Sequence, residues 1–147
     1  MSFPEASPPA PNKLQVLFSL CLALAAISSA HAAIELQQAD GTTLIIDQPA
    51  ARIITLSPHL AELAFDAGAG EHLLATVEYS DFPAAAAALP RIGDAFRFDL
   101  ERILALKPDL IIAWASGNPA AALKRLEDLG LTVWRIEVMR PEDIPRA

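Results

Sequence analysis

The strongest constraint in this chain is an alternation. Apolar runs without a charge recur at residues 52–56 after their leading arginine (RIITL) and at 73–77 (LLATV), and a third follows Asp109 at 109–114 (DLIIAW); between them lie segments with helical spacing. Short continuous apolar runs fit strands covered on both faces, the situation of a parallel sheet. Each intervening segment carries its own start and stop. Ser57 and Pro58 open a helix with Leu60, Leu63, Ala64 and Ala67 on one face, and Gly68 ends it. Asp99 caps LERILALK, which Pro108 stops. Asn118 reads as a cap with Pro119 at the first helical position, Leu123, Leu126 and Leu129 as the buried stripe and Gly130 as the stop. Residues 132–138 (TVWRIEV) read as the last strand, residues 91–93 as a short one, and the alanines at 84–88 as a helical turn or a low-complexity link. Strands alternating with helices predict a doubly wound, Rossmann-like α/β fold with a mostly parallel sheet and right-handed crossovers.

Two segments precede this series. Residues 33–50 hold two β-rich runs around Asp40-Gly41, a dipeptide that favours a tight hairpin turn because both positions tolerate φ > 0. Before them, Lys13 leads into the apolar run 14–27, and Ala30 and Ala32 supply the small residues of a cleavage site. That run falls short of the roughly 20 residues a membrane-crossing helix needs. Residues 1–32 are therefore expected to be a signal peptide cleaved near Ala32, leaving 51–147 as one α/β domain behind the hairpin. The single cysteine, Cys21, lies inside the leader, so the exported part would carry neither a disulfide framework nor a zinc knuckle.

Composition excludes two classes. With 53% hydrophobic and 20% charged residues the chain can bury a core, which excludes intrinsic disorder for most of it. A formal charge of -7 argues against duplex nucleic acid or an anionic membrane surface as a partner.

Ligands of open α/β sheets bind beyond the carboxyl ends of the strands. Ser57, Pro58 and His59 follow the first apolar run, Tyr79 the second, and Trp114 and Asn118 lie at and beyond the end of the third; Phe96 falls in the loop after residues 91–93. Five aromatics, Tyr79, Phe82, Phe96, Phe98 and Trp114, gather at these ends. They read either as a rim for a large, flat, partly apolar ligand or, for two or three of them, as plugs for the top of the sheet. His59 is open between a ligand or metal contact and a solvent-facing residue of the first helical turn, and Ser57 reads first as a cap. Glu101 falls in a first helical turn, where a carboxylate is favoured whether or not it has a partner. No G-x-S-x-G elbow surrounds Ser57, and Gly68-Ala69-Gly70 lacks the spacing of a dinucleotide loop, so no catalytic residue and no metal set is expected.

The combination SP-x-x-x-E from Ser57, YSDFP from Tyr79, LERILALKPDL from Leu100 and AW-x-x-GN ending at Asn118 resembles the amino-terminal lobe of the periplasmic cobalamin-binding proteins. These are substrate-binding proteins of the iron-siderophore and cobalamin ABC importers. The resemblance covers residues 51–138. It implies non-enzymatic capture of cobalamin in the periplasm by a monomer without a resident cofactor, and delivery to permease subunits. Tyr79 matches a rim tyrosine that contacts the corrin ligand, Trp114 the aromatic of AW-x-x-GN, and Glu101 the surface glutamate that docks on the permease. The pattern tends to carry Trp where this chain has Ala95-Phe96, so Phe96 stands in as the aromatic of that loop. The family continues with an inter-lobe helix and a second lobe, so a chain ending at RPEDIPRA is expected to be incomplete. A haem or siderophore binder is the sibling alternative, with Arg91 and Arg97 as candidate cations for an anionic ligand. A small secreted hydrolase and a stand-alone interaction module are the alternatives from other classes.

Overall fold

The computed structural model describes residues 33–137; the leader with its cleavage site at Ala32, the chain end after Glu137, and Val138 of the last expected strand lie outside the described residues. The first two strands, β1 (Ile34–Gln37) and β2 (Thr43–Ile46), pair antiparallel. Their loop is wider than a two-residue turn. Gln38 N–H donates to Thr42 C=O at 2.8 Å, Gly41 takes φ 84°, and the Asp40 carboxylate accepts from both the Thr42 amide and its hydroxyl. Asp40-Gly41 thus shapes the loop through an Asp side-chain turn instead of closing the tightest hairpin.

The α/β part runs β3 (Ile53–Thr55), α1 (Pro58–Asp66), β4 (Leu73–Ala75), α2 (Ala84–Ala87), α3 (Leu100–Leu106), β5 (Leu110–Trp114), α4 (Ala120–Asp128) and β6 (Val133–Ile136). Its four strands lie in the order β4-β3-β5-β6, all parallel. Residues 90–93 run beside β4 through a single bridge, Thr76 to Arg91, and the bonds Thr76 N to Pro90 O and Ile92 N to Thr76 O. The short strand expected there is thus a bridge with flanking hydrogen bonds.

Alternate residues of each strand enter two apolar layers. Ile54, Leu56, Ala75, Val77, Ile111, Ala113 and Val133 face Ile103 of α3 and Leu123 and Leu126 of α4. Ile53, Leu73, Leu110 and Ile112 face Leu60 and Ala64 of α1, with Leu36 and Leu44 of the hairpin packed alongside. Burying each such Ile or Leu contributes about 1.5–3 kcal/mol, which is why three-residue strands suffice here.

Two helical stripes differ from the expected ones. In α1 the buried residues are Leu60, Ala61 and Ala64, while Leu63 is exposed. At about 100° per residue the first three share an arc centred near Ala64, and Leu63 falls outside it. In α4, Leu123 and Leu126 are buried but Leu129 is exposed. Steps of three residues drift about 60° backwards each time, so the third leucine has rotated off the core and Leu131 takes its place.

The sheet is tied at its amino end and along one edge. At the amino ends, the Asp109 carboxylate accepts from the Ala51 and Arg52 amides, and the Arg52 guanidinium donates to the Leu106 and Lys107 carbonyls at the end of α3. Along the outer edge, Ala39 N–H donates to Arg135 C=O, Arg135 N–H to the Gln38 side chain and the Trp134 indole to Gln37 C=O. The hairpin thereby covers part of a sheet edge that would otherwise be free to pair.

Candidate functional site

The chain leaves β3 for β4 on one side and returns to β5 on the other. Loops beyond β3 and β5 therefore leave in opposite directions, and the carboxyl ends of these strands are the position at which open α/β sheets bind ligands. Five of the sequence-derived site residues, Ser57, Pro58, His59, Trp114 and Asn118, lie there.

Ser57 occupies the cap position of α1 with extended backbone, but its hydroxyl makes no cap bond. It is buried, and its Oγ lies 3.3 Å from His59 Nδ1. Pro58 takes the first helical position, as expected. The His59 ring meets Trp114 edge-to-face, with centroids 5.1 Å apart and planes at 90°, an arrangement aromatic quadrupoles favour. His59 is thus half-buried against an indole, not a free solvent-facing side chain. Burial lowers its pKa below the ordinary imidazole value, against the opposing pull of the Glu62 and Glu137 carboxylates.

Trp114 ends β5, and its ring lies over Gly117, where any Cβ would overlap the indole. The indole N–H donates to Glu137 Oε1 at 3.1 Å, the Ser116 hydroxyl donates to the same oxygen at 2.8 Å and the Ser116 amide to Oε2. These bonds, first the Ser116 hydroxyl and then the indole, hold the Glu137 carboxyl below the usual carboxylate range. Glu137 is a residue the sequence reading missed, because the last strand was expected to run through it; its end at Ile136 turns Glu137 into another strand-end residue.

Asn118 does not cap α4; Pro119 holds that position and the helix starts at Ala120. Its side chain is buried and committed to the chain itself. Oδ1 accepts from the Trp114 amide at 2.7 Å, and Nδ2 donates to Leu56 C=O at 2.9 Å and to Ala95 C=O at 2.8 Å. Expected as a ligand contact, Asn118 is placed as a brace that joins the ends of β3 and β5 to the loop carrying Phe96.

That loop is set by Asp94, whose carboxylate accepts from the Phe96 and Arg97 amides, and by Gly93 at φ 108°. Phe96 projects from it with 66% of its surface exposed, whereas Phe98 packs against the core. Of the five aromatics, Tyr79, Phe82 and Phe96 are exposed, while Phe98 and Trp114 partly plug the sheet top.

Tyr79 lies on a separate arm beyond β4, 80% exposed and with φ 66°. Behind it runs a chain of buried hydroxyls, Thr55 to Thr76 and Thr76 to Ser80, each step 2.9 Å. A threonine in each of two otherwise apolar strands was the available sequence signal for this chain. Arg91 donates to the Ser80 and Ala86 carbonyls, so its guanidinium is occupied within the fold. Glu101 is exposed in the first turn of α3, whose cap is Asp99, accepting from Arg102 N–H. An open cleft of about 360 Å³ is lined by Ala39, Asp40, Ala115, Ser116, Arg135 and Glu137. Among the described residues, no group of three His, Cys, Asp or Glu side chains is arranged to hold a metal ion.

No family model matches the chain. It is 46% identical over 96 residues to a vitamin B12-binding protein of Vibrio cholerae, and 43% identical over 94 residues to one of Pectobacterium carotovorum. The first alignment covers 65% of this chain and 35% of the relative, so the chain spans about a third of the length of the curated relatives it matches. Among solved structures it resembles the periplasmic vitamin B12 binding protein BtuF of Vibrio cholerae, with a TM-score of 0.57 and 49% identity over 59% of this chain and 34% of that one. A periplasmic heme binding protein from Pseudomonas aeruginosa matches with a TM-score of 0.57 and 28% identity, covering 60% of this chain and 32% of that one. The likeness read from the sequence motifs thus holds in both sequence and fold, and the solved neighbours are periplasmic binding proteins.

Proposed function

We propose that this chain supplies one lobe of an ABC-importer substrate-binding protein that captures cobalamin in the periplasm and passes it to the permease. The observation that carries the reading is the gathering of aromatic side chains at the carboxyl ends of the strands. Exposed aromatics on two separately braced arms, Tyr79 and Phe96, flank the end of a sheet where the Trp114–His59 pair presents further aromatic surface. Large flat ligands with apolar faces are held by such side chains, with a few placed polar groups for orientation. Ser57 and Pro58 lie beside this pair at the start of α1, and Asn118 acts through the positions it braces. The role is binding, not catalysis, with no resident cofactor beyond the captured ligand, a monomeric state and no nucleic-acid partner.

Identity to the vitamin B12-binding relatives, at 46% and 49%, exceeds the 28% to the heme-binding neighbour and supports a corrinoid over haem. Haem capture is the second reading, favoured by an equal TM-score. Of the two candidate cations for an anionic siderophore, Arg91 is spent on the Ser80 and Ala86 carbonyls, which leaves the exposed Arg97. Glu101, exposed at the start of α3, is proposed as the permease contact. Titration of the chain with cyanocobalamin and, separately, hemin tests the ligand. Saturable binding of the corrinoid in preference to hemin supports the proposal, and the reverse order transfers it to haem. For docking, Glu101→Arg should leave ligand capture intact and reduce permease-dependent uptake; unchanged uptake would remove Glu101 from the proposal.

A further inference from the structure

We infer that Arg91 is the positioning residue for Tyr79, holding the only tyrosine of the chain in a left-handed backbone conformation that aims its ring away from the core. The inference deepens the proposed function and rests on it for the claim that Tyr79 touches ligand; the conformational claim stands separately.

A ring that is 80% exposed cannot be oriented by packing. Its direction must come from the backbone, and at Tyr79 that backbone has φ 66°, a region that L-residues with a bulky side chain avoid unless the surroundings impose it. The residue that follows supplies the imposition. Ser80 is fully buried; its hydroxyl joins Thr76 and through it Thr55, and its carbonyl accepts from Arg91 Nη2 at 2.9 Å. The same guanidinium donates from Nη1 to Ala86 C=O at 3.1 Å and approaches the Asp81 carboxylate at 3.5 Å. Arg91 thus gathers residue 80, residue 81 and the end of α2 around one planar fork. Its own backbone is fixed by the bridge to Thr76 and by Ile92 N–H donating to Thr76 C=O. A lysine in its place offers one charged point and cannot bind the separate carbonyls in a fixed plane. A loop held in its bound form before ligand arrives loses less freedom on binding, so the gain appears as affinity.

Selective labelling with ¹⁵N-tyrosine gives a single amide cross-peak, since the chain has one tyrosine. A left-handed φ brings the amide proton close to its own Hα, so the wild-type chain should show a strong intraresidue NOE at Tyr79. Arg91→Ala should weaken that NOE towards its value in the urea-unfolded chain, with Arg91→Lys intermediate, while circular dichroism stays that of a folded α/β chain. The same substitution should weaken cyanocobalamin binding roughly ten-fold. An unchanged NOE in folded Arg91→Ala overturns the inference. Should Arg91→Ala fail to fold, Arg91→Lys decides: an NOE equal to wild type overturns it, and a reduced one supports it. Loss of the NOE in Arg91→Ala alongside a wild-type chain indifferent to cyanocobalamin supports the positioning role and defeats the corrinoid reading.

Discussion

The side-chain amide of Asn118 donates to the carbonyl of Leu56, 62 residues earlier in the chain, at 2.9 Å. This bond links the segments that follow β3 and β5, and the second Nδ2 hydrogen bond, to Ala95, extends the link to the arm that bears Phe96. One buried amide therefore ties these three segments in register.

Removing that amide leaves buried carbonyls without donors. Each buried group left unpaired costs about 1–3 kcal/mol, so Asn118→Ala is expected to lower unfolding free energy by about 2–4 kcal/mol in urea. Asn118→Asp, which sets an acceptor against two carbonyls, is expected to cost more. A loss below about 0.5 kcal/mol for Asn118→Ala, the range of ordinary surface changes, would show that the brace is not needed.

Gly117 is required for its missing Cβ. Because a Cβ there would overlap the Trp114 ring, Gly117→Ala should displace the indole from Glu137 and cost about 1–3 kcal/mol, the usual penalty for overpacking. In a Trp134→Phe background Trp114 is the only tryptophan left, and its emission should shift to the red. An unshifted emission maximum would mean that the ring is not confined as described.

The two perturbed groups in contact with Trp114, His59 and Glu137, give pH dependences that add in sign. Burial lowers the His59 pKa, so the unfolded chain takes up this proton first, and stability present above about pH 6.5 is lost as pH falls through the folded value. The Glu137 pKa is also lowered, so its contribution holds above its unfolded pKa and is lost as pH falls through the folded one. Urea midpoints measured from pH 8 to pH 5 should decline less for His59→Phe than for wild type. Over the more acidic range, Glu137→Gln should remove part of the remaining decline, and the Trp114 indole proton resonance of wild type should move only below the usual carboxylate range. Parallel profiles for His59→Phe and wild type would contradict the placement of His59 against Trp114.

Much of this was legible in the residues. The uncharged apolar runs that contain β3, β4 and β5 marked strands because burial on both faces leaves no room for polar alternation, and Pro58, Gly68 and Gly130 marked helix limits through backbone geometry alone. Where the reading failed, a side chain had a choice of partner. Ser57 and Asn118 both have the chemistry of a cap, yet one hydroxyl turned to His59 and one amide to Leu56 and Ala95. Arg91 read as a cation for a ligand and is spent on Ser80 and Ala86. Local sequence cannot rank a nearby partner against one 62 residues away, and the threonine–serine chain behind Tyr79 is visible only once β3 and β4 lie side by side.

The central claim is that the carboxyl ends of β3, β4 and β5 form a corrinoid-binding face. Uniform ¹⁵N labelling and stepwise addition of cyanocobalamin test it on the chain as it stands, since shift changes report even weak binding. Saturable changes are expected at residues 57–59, 79, 95–98 and 114–118, with the Trp114 indole proton among the largest, and a smaller response to hemin at equal concentration. Changes confined to the opposite end of the sheet, around Arg52 and Asp109, or a saturable response to hemin with none to cyanocobalamin, would contradict it.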